Sequence, residues 1–421
     1  MIKVLGFVIP FHLLISFQIL ATHLLIPMDE EQKDHLKSYG MAYWVLQNHE
    51  EVDWLLNYRG GSFAFKHSQS FENELLVRGV SYKVISDAQY NVLLQQIANP
   101  EVNMEIIKLE KAPKIAVYTP KIQQPWDDAV TLVLAYAEIP YDMIYDQEVL
   151  ADILPAYDWL HLHHEDFTGQ YGKAGRRHRN QEWFISQKEE SEGLARDYGY
   201  DKVSQMKLGV VKKIKAYVAG GGFMFAMCSA PETFEVALSA NGVDIVDASY
   251  DGDGVDPKAQ QKLDFSETFA FQNFKINLHP YDRGFSSIDP LRFERNLSER
   301  NDFFSLFTFS AKWDPIPAML TQNHEKNIKG FMGQTTAFRS EYVKPGVTVM
   351  GETKIVNEVR YINGTMGNGT WTFYGGHDPE DYVHMPGEPP TDLALHPNSP
   401  GYRLILNNIL FPAAKKKKQK T

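Results

Sequence analysis

The sequence predicts an α/β protein: a parallel sheet flanked by helices, preceded by a small α/β unit. Three observations predict it. From Ile115 onward, short apolar strands alternate with stretches of helical spacing, the pattern of a parallel sheet with helices on both faces. Phe223–Met227 is apolar throughout, as a strand buried on both faces must be. Residues 203–218 carry Met206, Val210, Ile214 and Val218 on one stripe with lysines opposite, so a helix packs just before that strand.

In chain order, residues 41–46 and 52–58 read as strands around the turn-prone 48–51, and Arg59-Gly60-Gly61 marks a turn. A helix over 71–77, a strand over 82–85 and a helix over 87–97 complete a unit spanning 26–110. The charged stretch 108–114, with Pro113, reads as a linker. The main domain, 111–412, opens with the strand Ile115–Tyr118. A helix over 126–137 follows, then strands over 141–145 and 157–163, the second with Trp159, His161 and His163 on one face. A charged helix over 183–198 comes next. Gly220-Gly221-Gly222 stops the helix over 203–218, and a helix over 231–239 follows the apolar strand. The stretch 247–314 is irregular and reads as a long insertion. Strands at 347–350, 359–362 and 371–374 come next, with Asn-Gly turns at Asn363 and Asn368. A closing helix over 402–410 follows Pro400, and the basic tail 413–421 is low-complexity.

The 421 residues are 43% hydrophobic, enough for a large core and more than one domain. A net charge of −11 argues against a general nucleic-acid binder. The single cysteine excludes an internal disulfide and a zinc site built on several thiolates. Lys3 is followed by an uncharged, mostly apolar run over 4–28. It reads as a signal peptide or a retained membrane anchor over 1–25, so export to the periplasm or cell envelope is expected.

The single cysteine stands in Phe-Ala226-Met-Cys228-Ser229-Ala230-Pro231-Glu232, where the apolar strand runs straight into a helix. That is strand–nucleophile–helix order. The turn exposes the side chain at the carboxyl edge of the sheet. The helix N-terminus favours a thiolate, and the Ser229 N–H points where an oxyanion forms. Ser229 and Glu232 match a capping box. A buried structural cysteine at the end of a core strand is the alternative.

These residues, with the late Gly375-Gly376-His377 before the closing helix, resemble the class I glutamine amidotransferase-like superfamily over residues 114–411. The Gly-Gly-His377-Asp378-Pro-Glu380 stretch, then Gly401-Tyr402-Arg403-Leu404 and Asn407-Asn408, are most similar to its trehalose-utilisation branch. The whole chain resembles bacterial envelope proteins commonly called asparagine synthetase B. The resemblance implies a flavodoxin-like sheet and a thiol-dependent amidase or hydrolase. In it Cys228 would attack a carbonyl, His377 would act as base and then acid, and Glu380 or Asp378 would orient the imidazole. The family's Gly-x-Cys-x-Gly is here Ala226-Met-Cys228-Ser-Ala230, and its His-x-Glu is His377-Asp-Pro-Glu380. Synthetase chemistry itself lacks its residues. Residue 2 is Ile rather than an amino-terminal Cys, and Arg59-Gly-Gly-Ser62 lacks the Asp-Ser of a pyrophosphate loop.

Two further constellations stand out. His161, His163, His164 and Glu165 end a predicted strand, so His164 and Glu165 are expected to line the Cys228 cleft, and a His/Glu cluster is also metal-ligand chemistry. Asp247, Asp251, Asp253 and Asp256 alternate with glycine, as in an oxygen-ligand calcium loop or a solvated acidic turn. No cofactor is otherwise required. The partners expected are a small molecule or an envelope component, with the N-terminal segment able to meet a membrane. Two functions stay open: a Cys–His hydrolase, and a non-catalytic envelope module that keeps the fold.

Overall fold

The computed structural model describes residues 21–121, 127–173, 178–290, 295–385 and 387–414. The apolar run expected to be a leader lies outside them as far as residue 20, as does most of the basic tail. The end of that run, Ala21–Ile26, is strand β1 of the N-terminal unit, with Leu24 and Ile26 fully buried. A leader boundary at residue 25 therefore falls inside a core strand.

The N-terminal unit continues with α1 (His35–Gln47), β2 (Val52–Leu56), β3 (Ser62–Lys66), α2 (Gln69–Arg78), β4 (Lys83–Ser86), α3 (Asp87–Ala98) and β5 (Glu105–Leu109). Its sheet, β4-β1-β3-β2-β5, is antiparallel throughout. Residues 41–46, expected as a strand, belong to α1, whose N-terminus Asp34 caps by accepting from Lys37 N at 2.8 Å. Nearly every residue of α1 is buried, so no polar face reveals the helical period, and a short apolar run is ambiguous between helix and strand. The expected linker contributes Lys108 and Leu109 to β5.

The main domain holds β6 (Ile115–Tyr118), α4 (Ala129–Tyr136), β7 (Asp142–Ile144), α5 (Asp146–Leu150), β8 (Trp159–Leu162), α6 (Glu182–Asp197), α7 (Val203–Gly220), β9 (Phe223–Met227) and α8 (Ala230–Ser239). It continues with β10 (Phe303–Leu306), α9 (Pro315–Leu320), β11 (Asn327–Lys329), β12 (Phe338–Arg339), β13 (Thr348–Thr353), β14 (Glu358–Met366), β15 (Gly369–Tyr374) and α10 (Pro400–Leu410). The large sheet runs β11-β10-β13-β14-β15-β9-β8-β6-β7, with β12 beside β14. The half β7-β6-β8-β9-β15 is parallel, as expected. The other half is antiparallel, which corrects the expectation of a wholly parallel sheet. The β14–β15 hairpin reverses direction, because a two-residue turn joins only antiparallel strands. The irregular 247–314 stretch supplies β10 to that half. Asn363-Gly364 is not a turn but lies inside β14. A Cβ on Gly364 would stand 2.3 Å from the Trp371 indole, so the glycine leaves room for the cross-strand ring.

The two units share one core in which Leu36, Tyr39 and Trp54 cluster with Tyr402, Ile405 and Leu406. Arg403 of α10, fully buried, donates to Tyr39 OH (3.0 Å), Met28 O (3.0 Å) and Gly60 O, and to His324 Nδ1 (3.1 Å). Tyr39 OH donates to Asn407 Oδ1, and Asn408 Nδ2 to Tyr361 OH (2.7 Å). Arg403 and Asn407 of the closing helix thus stitch the two units together. Among the described residues no helix is long and apolar enough to cross a membrane.

Candidate functional site

Parallel registry brings the site together. Tyr374 of β15 pairs with Met227 of β9, and Leu162 of β8 with Ala226. The three strands end at one level, and the residues that follow them, Cys228, Gly375-Gly376-His377 and His163-His164-Glu165, meet at the carboxyl edge. Ligands bind at this edge in open α/β sheets. Asp127 and Asp128 join them from the β6–α4 connection, next to β8 in the sheet.

Cys228 has φ 52°, a left-handed backbone that side chains rarely adopt, and its N–H donates to Gly376 O at 2.9 Å. Cys228 and His377 line one cavity, and the thiol lies near enough to the His377 ring to favour its charged form. Asp127 Oδ1 lies 3.3 Å from His377 Nε2 and 3.1 Å from His384 Nε2, and the two rings stack at 5.2 Å. Burial works against a charged His377, but Asp127 and Cys228 push its pKa up to about 10. The arrangement is a thiol, an imidazole and a carboxylate in series.

The carboxylate that bonds the ring is Asp127, not Glu380 or Asp378. Glu380 faces Lys329 Nζ (3.5 Å) and His396 Nδ1 (3.4 Å). Asp378 accepts from Glu380 N (2.9 Å) and Thr391 Oγ1 (2.7 Å), bracing the turn behind His377. Ser229 sits at the start of α8, but the capping box does not form. The Ser229 hydroxyl points to Glu165 O (3.5 Å), while Glu232 turns inward to Ser286 N (2.6 Å) and Thr335 Oγ1 (3.1 Å). Buried donors on Ser286 and Thr335, distant in sequence, outcompete the local box.

His164 and Glu165 line the same cavity as Cys228 and His377, as expected; its volume is about 1230 Å³. Glu165 accepts from Tyr145 OH at 3.0 Å, and burial raises its pKa to about 7 against the pull of Lys207. His161 and His163 are buried and share Asp128, at 3.1 Å from each. Asp128 also caps α4, accepting from Val130 N at 2.7 Å. Of the expected calcium ligands, Asp251 and Asp253 stay together and Asp256 stands apart. Asp251 and Asp253, with Asp244, converge on the Lys202 ammonium, and Asp256 pairs with Lys262. Asp247 caps the turn of helix at Ala248–Asp251. The cation these acids share is the chain's own lysine.

Sequence reasoning missed Asp127, Asp128 and His384. The paired aspartates at the head of a predicted helix were the available signal. His384 follows an irregular stretch without one.

No protein-family model matches the chain, and no curated protein matches it. Among solved structures it is similar to two cytoplasmic proteins of Salmonella typhimurium, with TM-scores of 0.35 and 0.34. Each is 11% identical, with 72% of this chain and 100% of the other covered. It is also similar to a GH42 β-galactosidase, with a TM-score of 0.28 and 12% identity, over 64% of this chain and 28% of that one. Likenesses this distant transfer no activity.

Proposed function

We propose that the chain is a thiol-dependent hydrolase of the class I glutamine amidotransferase-like type, acting on an amide or ester that enters the cavity beside Cys228. The observation that carries this reading is the left-handed Cys228 at a strand–helix elbow, lining one cavity with His377, whose ring has Asp127 behind it at 3.3 Å. The parallel strand order β7-β6-β8-β9-β15, which is 2-1-3-4-5 in chain order, supports the flavodoxin-like part of the reading.

In this mechanism the Cys228 thiolate attacks the carbonyl carbon, and the Ser229 N–H stabilises the developing oxyanion. The C–N or C–O bond breaks, and the leaving group departs with the proton of His377. Water, giving a proton back to His377, then cleaves the thioester and restores the thiol. Asp127 holds the imidazole in the orientation both steps use. Export remains an inference from the N-terminal sequence.

The test is alkylation of Cys228 by iodoacetamide at neutral pH in the folded, metal-free protein. Wild type should react readily, and His377→Ala should react slower by on the order of 10²-fold, the usual contribution of a positioned acid–base group. A thiol inert until the protein unfolds, or one indifferent to His377, would leave the non-catalytic binding platform as the reading.

A further inference from the structure

We infer that the same edge holds a site for a divalent transition metal ion, formed by His163, His164 and His377, and that metal loading switches off the thiol chemistry. The ligand nitrogens of these three residues all lie within 4.8 Å of one another. Three imidazoles with one position open to a cavity are the donor set of a catalytic-type zinc site. Nitrogens on a tetrahedral zinc stand about 3.4 Å apart, so the rings close onto the ion by side-chain rotation.

Two further observations point to a ligand. His163 is 1% exposed, and neither of its buried ring nitrogens makes a hydrogen bond, which leaves Nε2 free for a ligand. Its Nδ1 is 3.1 Å from Asp128 Oδ2, while Nε2 of His377 is 3.3 Å from Asp127 Oδ1. Metal-bound histidines characteristically turn their second nitrogen to a carboxylate, which fixes the ring and strengthens the ligand. Here two adjacent residues, Asp127 and Asp128, supply one carboxylate to each of two rings. Imidazole donors select zinc, cobalt, nickel, copper or iron over calcium or magnesium.

The metal site goes beyond the thiol reading and stands or falls separately. His377 cannot bind a metal and accept the Cys228 proton at once. The metal-bound and thiol-active states therefore exclude each other.

The experiment titrates chelator-treated full chain with Co²⁺, followed by visible absorption and equilibrium dialysis, and repeats the alkylation assay in Zn²⁺. The expected result is one Co²⁺ per chain with a tetrahedral spectrum, in wild type and in Cys228→Ala alike. Asp128→Asn, which keeps the helix cap, should weaken binding by about 10- to 100-fold. The double variant His163→Asn, His164→Asn should lose the spectrum. Zn²⁺ should slow alkylation of wild-type Cys228, and chelator should restore it. Absence of stoichiometric Co²⁺ in wild type, a spectrum surviving in the double variant, or alkylation unaffected by saturating Zn²⁺ overturns the inference. Cobalt binding beside an unreactive metal-free Cys228 would overturn the hydrolase reading and leave this one intact.

Discussion

At the scale of single residues the site turns on three groups. A non-glycine residue in the left-handed region costs on the order of 1–3 kcal/mol, held in place only by surrounding contacts. For Cys228 those contacts are its own N–H on Gly376 O and the adjoining Ala230 N–H on His163 O (2.7 Å). The strained backbone holds Cys228 at the same cavity edge as His377, and Asp127 faces that ring at 3.3 Å. It follows that Asp127→Asn should slow Cys228 alkylation by roughly tenfold or more, since the ring loses its charged partner. Glu380→Gln should leave the rate unchanged, because Glu380 faces Lys329 and His396 instead. Alkylation rates for the two variants, with circular dichroism to confirm folding, check this; equal rates in both would remove Asp127 from the site.

At the scale of elements, the His377 loop is positioned from behind. Gly376 N donates to Thr335 O (3.0 Å) and His377 N to Met332 O (2.8 Å). The 331–336 segment is held in turn by Arg360 of β14, which donates to Phe331 O (3.1 Å) and Thr336 O (3.0 Å). Arg360 belongs to a buried ion cluster with Asp302, Arg295 and Glu358. Gly376 is required at the crossing. Its φ is 118°, and a Cβ there would stand 2.2 Å from the Phe331 ring. Gly376→Ala should therefore destabilise the protein by about 1–3 kcal/mol and slow Cys228 alkylation in the population still folded. Denaturant melts with paired alkylation rates measure both; an unchanged midpoint would mean the loop is not held as tightly as its hydrogen bonds indicate.

At the scale of the whole molecule, the seam between the two units is a polar lock set in an apolar core. His324 stacks on His35 with ring centroids 4.0 Å apart and accepts from Arg403 at 3.1 Å. Burial, then His35 and Arg403, lower the His324 pKa to about 3, from about 6.5 when exposed. The folded protein keeps this ring neutral while the unfolded chain protonates it. Its contribution to stability is thus fully present above about pH 6.5 and is lost as pH falls toward 3, on the order of 1 kcal/mol per unit. His324→Asn keeps an acceptor for Arg403 but cannot titrate. Its melting temperature should fall less steeply than wild type between pH 6.5 and 4.5; parallel slopes would take His324 out of the acid response.

The sequence by itself determined the elements whose signal is local. Phe223–Met227 is a strand because every residue in it is apolar. The helix after it begins where Cys228, Ser229 and Pro231 end that run. His164 and Glu165 could be assigned to the cleft because strand ends gather at one edge. Only the tertiary structure decided which carboxylate serves His377. Glu380 is three residues away in the chain and faces elsewhere, while Asp127, 250 residues away, makes the bond. Sequence spacing does not measure distance across a sheet, where β15 and β6 reach the same edge from opposite ends of the domain. The antiparallel half of the sheet, the buried α1 and the capture of Asp251 and Asp253 by Lys202 were likewise settled by long-range packing. In each, a partner distant in sequence offered a better bond or deeper burial than the local pattern did.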